Sequence, residues 1–153
     1  IVMEKVLRSV GLIQKFEKGH PKFLLKWQPE RTQLNFVIGE RLEKESFREA
    51  ITREVSWQLG LDRNADFLVS NMAQLSMEYS GTLPGTPEKR SIAVAFYLVH
   101  LYGKTARNKV GQLTTTQWIT AAEICDGWTD LGVPIDPIAV HWINRWQILQ
   151  PWQ

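Results

Sequence analysis

The segment from Gly39 to Leu61 constrains the fold of this chain more than any other part of the sequence. It begins with a loop in which Ser46 and Glu49 have the Ser-x-x-Glu spacing of a capping box, which marks the first turn of a helix. Apolar residues then recur at helical spacing, at Phe47, Ile51, Val55 and Leu59. Gly60 is a typical residue for the end of a helix. The segment therefore predicts a polar loop followed by one amphipathic helix.

The rest of the chain predicts a mixture of strands and short helices. Runs of β-branched or alternating apolar residues predict strands at residues 6–14, 22–27, 67–77, 91–102 and 113–119. Thr120 and Glu123 repeat the capping-box spacing, and Asp136 followed by Pro137 predicts a terminal helix that reaches Leu149. This order of elements indicates an α/β fold in which a mixed sheet lies between helices.

Composition and charge limit the function classes. The 153 residues are 44% hydrophobic and 22% charged, which is typical of one soluble domain. The net charge of +2 is too small to indicate a nucleic-acid or membrane partner by itself. A single cysteine, Cys125, excludes an intrachain disulfide, and no apolar run is long enough for a transmembrane helix. We expect a cytoplasmic protein, and the start at Ile1 leaves open that the chain is cut from a longer one.

The spacing of the helix segment resembles the signature box of the Nudix hydrolase superfamily. The matching positions are Gly39, Glu45, Arg53, Glu54, Val55, Gly60 and Leu61. The resemblance implies a single Nudix-like domain over residues 1–153, with an α/β/α sandwich and a central mixed sheet. Later segments agree with it, including Gln117–Glu123, which looks like the family's Trp-containing entry into a short helix.

The resemblance also implies a metal site that this chain has partly lost. In the family, glutamates at the positions of Glu54, Trp57 and Gln58 hold Mg²⁺ against the pyrophosphate of a nucleoside diphosphate linked to another group, and water attacks phosphorus. Helical spacing predicts these three side chains on one face, roughly opposite the apolar stripe. Trp57 offers no oxygen, and Gln58 offers no charge to a hard cation. We expect a degenerate Nudix box in which Trp57 fills the former metal site or stacks on a ligand.

The loop before the helix departs from the family pattern as well. Val37-Ile38-Gly39 stands where Pro-Gly-Gly is usual, and Lys44 replaces the glycine before Glu45. Gly39 and Lys44 are candidate ligand-binding residues with Trp57 and Gln58, although Lys44 could equally be a solvated surface residue. By the resemblance, Arg53 braces the helix and Gly60 ends it, so both have structural roles.

Three functions follow from these residues. The favoured one is a domain that binds a nucleoside-diphosphate-linked ligand, or a partner protein, with hydrolysis lost or strongly reduced. The alternative is an active divergent hydrolase that assembles a Mg²⁺ site from Glu54, Glu45 and a later acid such as Glu88; without activity no cofactor is expected. The third is an interaction module whose contact is formed by the C-terminal tryptophans Trp142, Trp146 and Trp152, which could also be core residues.

A short basic segment, residues 104–109, leaves two readings open. It predicts either a solvated hairpin tip or a phosphate contact. Because the chain has no aromatic residues interleaved with a basic stripe, a nucleic-acid partner is not expected.

Overall fold

The computed structural model describes residues 4–153 and contains both strands and helices. The strands are β1 (Lys5–Glu17), β2 (His20–Gln28), β3 (Gln33–Asn35), β4 (Val37–Glu40), β5 (Phe67–Val69), β6 (Leu75–Gly81), β7 (Arg90–Leu101) and β8 (Thr116–Thr120). The helices are α1 (Phe47–Leu59), α2 (Gly103–Gly111), α3 (Ala121–Asp126) and α4 (Pro137–Trp146). Within residues 4–153, no helix is long and apolar enough to cross a membrane.

The chain forms two compact units, which are described separately. The first unit contains the chain up to Leu12 together with Val37–Leu113, and the second contains Ile13–Phe36 together with Thr114–Gln153. The predicted helix segment falls in the first unit and the C-terminal tryptophans fall in the second. The single domain predicted over residues 1–153 stays a prediction.

The sheet of the first unit is built around β7, the longest predicted strand. β7 neighbours β1 and pairs antiparallel with β5 and β6, while β1 pairs antiparallel with β4. Apolar side chains on these strands and on α1 form the core of the unit, including Val10, Val37, Ile51, Val55, Phe67, Ile92, Val94 and Phe96. This core fixes α1 against β4, the strand that leads into it.

Helix α1 forms as its local sequence predicts. The Ser46 hydroxyl accepts a hydrogen bond from the Glu49 amide at 3.0 Å, and the Glu49 carboxylate accepts one from the Ser46 amide at 3.1 Å. Gly60 ends the helix with a φ of 64°, in the left-handed region where glycine has no steric cost. The buried stripe contains Ala50 in place of Phe47, whose half-buried ring lies beneath the guanidinium of Arg41 at 5.2 Å.

Two predictions in the first unit need correction. The strand predicted over residues 67–77 is divided into β5 and β6, with a break between them. The basic segment predicted as a hairpin tip is helix α2, in which Ala106 and Val110 are buried one turn apart. An ion pair of 2.6 Å between Lys109 and Asp66 ties this helix to the segment before β5.

The second unit has β2 at the centre of its sheet. β2 pairs antiparallel with the end of β1, with β3 and with β8. The predicted capping box of Thr120 and Glu123 is present at α3, and the Asp136 carboxylate accepts hydrogen bonds from two amides in the first turn of α4. Helix α4 ends at Trp146 instead of Leu149, because Gln147 turns into the left-handed region with a φ of 52°.

Candidate functional site

The centre of the candidate site is the side chain of Arg53, which binds both acids of the box. Its Nε donates to Glu45 Oε2 at 2.9 Å and its Nη2 to Glu45 Oε1 at 3.1 Å. Its Nη1 donates to Glu54 Oε2, and Nη2 also donates to the Glu40 carbonyl at 2.9 Å. This guanidinium holds the pKa of Glu45 below its usual value, and the pairing with Glu45 raises the pKa of Arg53. Glu45 is therefore held as an anion, and both acids contact one guanidinium.

Gln58 binds the other oxygen of Glu54. Its Nε2 donates to Glu54 Oε1 at 3.0 Å and lies 3.4 Å from the Ile38 carbonyl oxygen. An amide oxygen cannot donate a hydrogen bond, so the amide has to present its nitrogen to this carboxylate. Each oxygen of Glu54 therefore accepts a hydrogen bond from the protein's own side chains, and the Glu54 side chain is only 17% exposed.

Gly39 allows the strand and the helix of the box to approach closely. A Cβ atom at this position would lie 2.8 Å from the Ala50 carbonyl oxygen and 3.1 Å from Glu54 Cγ. Contacts this short do not occur for real side chains, so only glycine fits between β4 and α1 without a shift. Because Gly39 has no side chain, the Glu54 side chain can lie close to β4. Gly39 itself is buried.

Trp57 does not share the surroundings of Glu54 and Gln58. Its side chain is 78% exposed, whereas those two residues are half-buried against the end of β4. Residues three apart on a helix differ by about 60° in direction, and here that difference separates solvent from the neighbouring strand. The indole therefore does not fill the space beside Glu54, and its stacking on a ligand stays a prediction.

Lys44 has a left-handed backbone conformation, which is more typical of glycine. Its φ is 66°, in the left-handed region that costs an ordinary L residue about 1–2 kcal/mol. The side chain is exposed, and its ammonium has no hydrogen bond or ion pair within residues 4–153. The loop therefore turns at Lys44 and has a cation at its surface that is unpaired within residues 4–153.

The later acids remain apart from the box. Glu88 and Glu78 are both exposed, and no group of three or more His, Cys, Asp or Glu side chains in the described part of the chain could hold a metal ion. The two acids that do lie together, Glu45 and Glu54, have their oxygens occupied by N–H donors. These residues as arranged do not fit Mg²⁺, which needs several free oxygen ligands in near-octahedral geometry.

A cleft lies beside this network, on the outer face of α1. It has a volume of about 350 Å³ and is lined by the first two turns of the helix and by Arg63 to Val69. Sequence reasoning missed Arg48 and Arg63, both of which line it. Helical spacing could have placed Arg48 near Glu45 and Thr52, but nothing local indicates that Arg63 faces the same space.

The C-terminal tryptophans occupy three different environments. Trp142 is 1% exposed and belongs to the core of the second unit, Trp146 is half-buried, and Trp152 is 76% exposed. Trp142 is thus unavailable to a partner, which corrects the predicted three-tryptophan contact surface. Trp146 has the guanidinium of Arg145 over its ring at 6.0 Å.

Comparison with known proteins identifies the fold. No protein-family model and no curated protein sequence matches the chain. Among solved structures, a mutT/nudix family protein from Listeria innocua has a TM-score of 0.59 and 13% identity, covering 96% of this chain and 93% of that one. A Nudix hydrolase from M. smegmatis has a TM-score of 0.58 and 15% identity, with coverages of 94% and 85%. An Ap4A hydrolase from C. elegans has a TM-score of 0.52 and 12% identity, with coverages of 82% and 86%.

These likenesses confirm the fold class predicted from the sequence, an α/β/α sandwich with a central mixed sheet. At such low identity they concern architecture and leave the reaction to the residues of the site. The chain has the Nudix fold.

Proposed function

We propose that this chain is a degenerate Nudix-fold domain that binds a nucleoside-diphosphate-linked ligand, with pyrophosphohydrolase activity lost or strongly reduced. One observation carries the proposal: both oxygens of Glu54 accept hydrogen bonds from Arg53 and Gln58. Each oxygen keeps a second lone pair, but the positive charge of Arg53 beside this carboxylate repels a divalent cation. Neutral Gln58 and exposed Trp57 supply no replacement charge.

The size of the expected loss follows from the missing carboxylates. If each one stabilises the transition state by about 3 kcal/mol, its removal slows the reaction about a hundredfold. Two removals at Trp57 and Gln58 multiply to about ten-thousandfold. A protein with such a loss keeps a shaped site without useful turnover, which favours ligand binding over catalysis.

The ligand class is proposed from the fold and from the charges at the site. Solved structures of similar fold include an Ap4A hydrolase, which acts on a nucleotide that contains phosphoanhydride bonds. Here Lys44 lies in the loop that leads into α1. Its ammonium has no partner within residues 4–153 and offers a contact to an anionic ligand. We propose that binding of such a ligand requires no Mg²⁺.

The experiment compares the natural chain with Glu54→Gln and with the double variant Trp57→Glu/Gln58→Glu. Cleavage of ADP-ribose to AMP and ribose phosphate, and of Ap4A to ATP and AMP, is measured by chromatography with Mg²⁺ or Mn²⁺, and calorimetry follows metal binding and ADP-ribose binding in EDTA. We expect no metal-dependent rate in the natural chain above that of Glu54→Gln, saturable ADP-ribose binding without metal, and metal binding gained by the double variant. A metal-dependent rate that Glu54→Gln abolishes contradicts the loss of activity, and failure to bind any of these nucleotides contradicts the ligand.

The second candidate function is an active divergent hydrolase. Its support is that Arg53 already holds Glu45 and Glu54 together, so that one further acid such as Glu88 would complete a set of three carboxylates. This function requires the loop that carries exposed Glu88 to move towards α1. Adding Glu88→Gln to the assay above decides between the two candidates, because only this one predicts a metal-dependent rate that falls in that variant.

The third candidate is an interaction module. It now rests on the exposed ring of Trp152 and on half-buried Trp146, since Trp142 is part of the core. A partner that binds there must lose affinity in Trp152→Ala while the nucleotide affinity stays unchanged.

A further inference from the structure

The cleft on the outer face of α1 is separate from the Glu54 site. Glu54, Trp57 and Gln58 do not line it, and its closest link to the box is the shared pair of Glu45 and Arg53. Its volume of about 350 Å³ lies at the small end of the range of about 300–1,000 Å³ for small-molecule sites. The cleft therefore suits a ligand smaller than a dinucleotide.

One wall of the cleft is apolar. Phe67, Leu68 and Val69 line it, and of these Leu68 is 44% exposed while its two neighbours are buried. An exposed leucine at the edge of a concave site offers an apolar surface on which a flat or aliphatic group can pack.

The lining also includes two guanidinium groups, those of Arg48 and Arg63, that form no ion pair with a carboxylate within residues 4–153. Arg48 donates only to the backbone carbonyls of Ser70 and Val69, at 3.1 and 2.7 Å. Arg63 is exposed, and its side chain has no hydrogen bond or ion pair within residues 4–153. Backbone carbonyls fix the position of Arg48 without cancelling its charge, so this arginine is oriented in advance.

The acids of the cleft are already engaged. Glu45 binds Arg53 through both oxygens, and Glu49 accepts a hydrogen bond from the Ser46 amide at the helix start. The three arginines and two glutamates of the lining give its side chains a net formal charge of +1. An anionic ligand is therefore favoured over a cation.

We propose that this cleft is a binding site for a small organic phosphate monoester, of about the size of a mononucleotide, whose phosphate is held by Arg63 and Arg48. A phosphate monoester carries a charge of about −1.5 to −2 at pH 7 and offers three acceptor oxygens, which matches two guanidinium forks. A carboxylate carries only one negative charge, and its two oxygens form a bidentate pair with only one guanidinium. The organic part packs on Leu68, and the free side-chain amide of Asn64 lies within the same lining to orient it.

The test uses AMP as the probe, in buffer with EDTA so that no metal can contribute. Calorimetry and ¹H–¹⁵N spectra are recorded for the natural chain, Arg63→Gln and the matched control Arg107→Gln. Arg107 is an exposed arginine of α2 with no partner in the described chain and no place in the cleft. Arg48 is left unchanged, because it also anchors backbone carbonyls.

We expect saturable AMP binding that is tighter than binding of adenosine or of inorganic phosphate, with shifted amides in residues 63–69. Arg63→Gln weakens AMP binding at least about tenfold, and Arg107→Gln leaves it within about twofold. Absence of saturable AMP binding at millimolar concentration overturns the proposal, as does an equal effect of the two variants. AMP binding that ignores Arg63→Gln but disappears in Glu54→Gln also overturns it and assigns the ligand to the box. None of these outcomes depends on whether the box hydrolyses ADP-ribose, so the two proposals can fail independently.

Discussion

At Glu54, each carboxylate oxygen accepts a hydrogen bond from a neighbouring side chain, one from Arg53 and one from Gln58. The donor from Gln58 is the decisive one, because Arg53 is also present in the family's box and Gln58 is not. Its amide reaches Glu54 Oε1 at 3.0 Å without adding charge. Gln58 thus contributes a neutral hydrogen-bond donor to Glu54, which supports the proposed loss of hydrolysis.

The first prediction concerns Gln58→Glu. In this variant a second carboxylate lies beside Glu54, and Glu54 loses the amide donor of Gln58. The free energy of unfolding without metal therefore falls by about 1.5–3 kcal/mol. Mg²⁺ restores part of this stability by binding between the two acids. Thermal unfolding with and without Mg²⁺ measures both effects. Gln58→Met is the control, since it loses the hydrogen bond without adding charge, and a Mg²⁺ response in that variant contradicts the explanation.

The second prediction concerns Lys44, whose φ is 66°. Glycine adopts this conformation without steric cost, so Lys44→Gly raises the free energy of unfolding by about 1 kcal/mol. Lys44→Ala keeps the strain and serves as the control, with little change. Urea unfolding compares the two. If both variants gain equally, the removed charge and not the backbone is responsible.

The third prediction concerns the pH dependence of stability. Because the guanidinium of Arg53 lowers the pKa of Glu45, the folded state binds a proton on Glu45 less readily than the unfolded state does. The stabilisation is therefore present above the unfolded pKa of about 4.3 and is lost as the pH falls through the lower folded pKa. Acid unfolding curves of the natural chain and Glu45→Gln test this. The difference between them should shrink below about pH 4, and a constant difference at all pH values contradicts the linkage.

At the scale of elements, the contact between β4 and α1 depends on the absence of one side chain. The fourth prediction is that Gly39→Ala lowers the free energy of unfolding by about 1–3 kcal/mol, because its Cβ would overlap the Ala50 carbonyl oxygen. Gly111→Ala is the matched control, since a Cβ there meets nothing within 4 Å. Urea unfolding of both variants gives the comparison. Equal effects would mean that glycine flexibility, and not this contact, sets the result.

The elements that sequence predicted are those whose signals are local. Helix α1 has its capping box and its terminal Gly60 within one short segment, so spacing was enough to place it. Helix α2 has no side-chain cap at Tyr102, and its stability comes from burial of Ala106 and from the ion pair of Lys109 with Asp66. Those contacts join residues far apart in sequence, and a single sequence does not display them.

In the candidate site as well, contacts within one helix were predictable from the sequence, whereas contacts between distant segments were not. The family spacing identified Arg53, Glu54 and Gln58 as neighbours, and they do contact one another. The exposure of Trp57 was not predicted, because helical spacing gives an angle but not which neighbouring element packs beside the side chain. Arg63 could not be predicted at all, since only the folded chain brings it opposite α1.

At the scale of the whole molecule, buried Trp142 and exposed Trp152 should differ in how much each stabilises the fold. The fifth prediction is that Trp142→Ala lowers the free energy of unfolding by about 3–5 kcal/mol, since it empties a fully buried site. Trp152→Ala changes it by less than about 0.5 kcal/mol, because that ring is 76% exposed. Urea unfolding measures both. A large loss in Trp152→Ala would mean that the ring packs on the protein and is not free for a partner.

The hydrogen bonds around Glu54 have a consequence for how the protein responds to its surroundings. A protein whose site must hold a cation gains stability as the cation concentration rises, by RT ln(1 + [L]/Kd). Here Arg53 and Gln58 already bind the Glu54 carboxylate, so we expect no such concentration-dependent gain. A chelator should leave the melting temperature unchanged, and the amount of folded protein in a cell should not follow the supply of divalent metal.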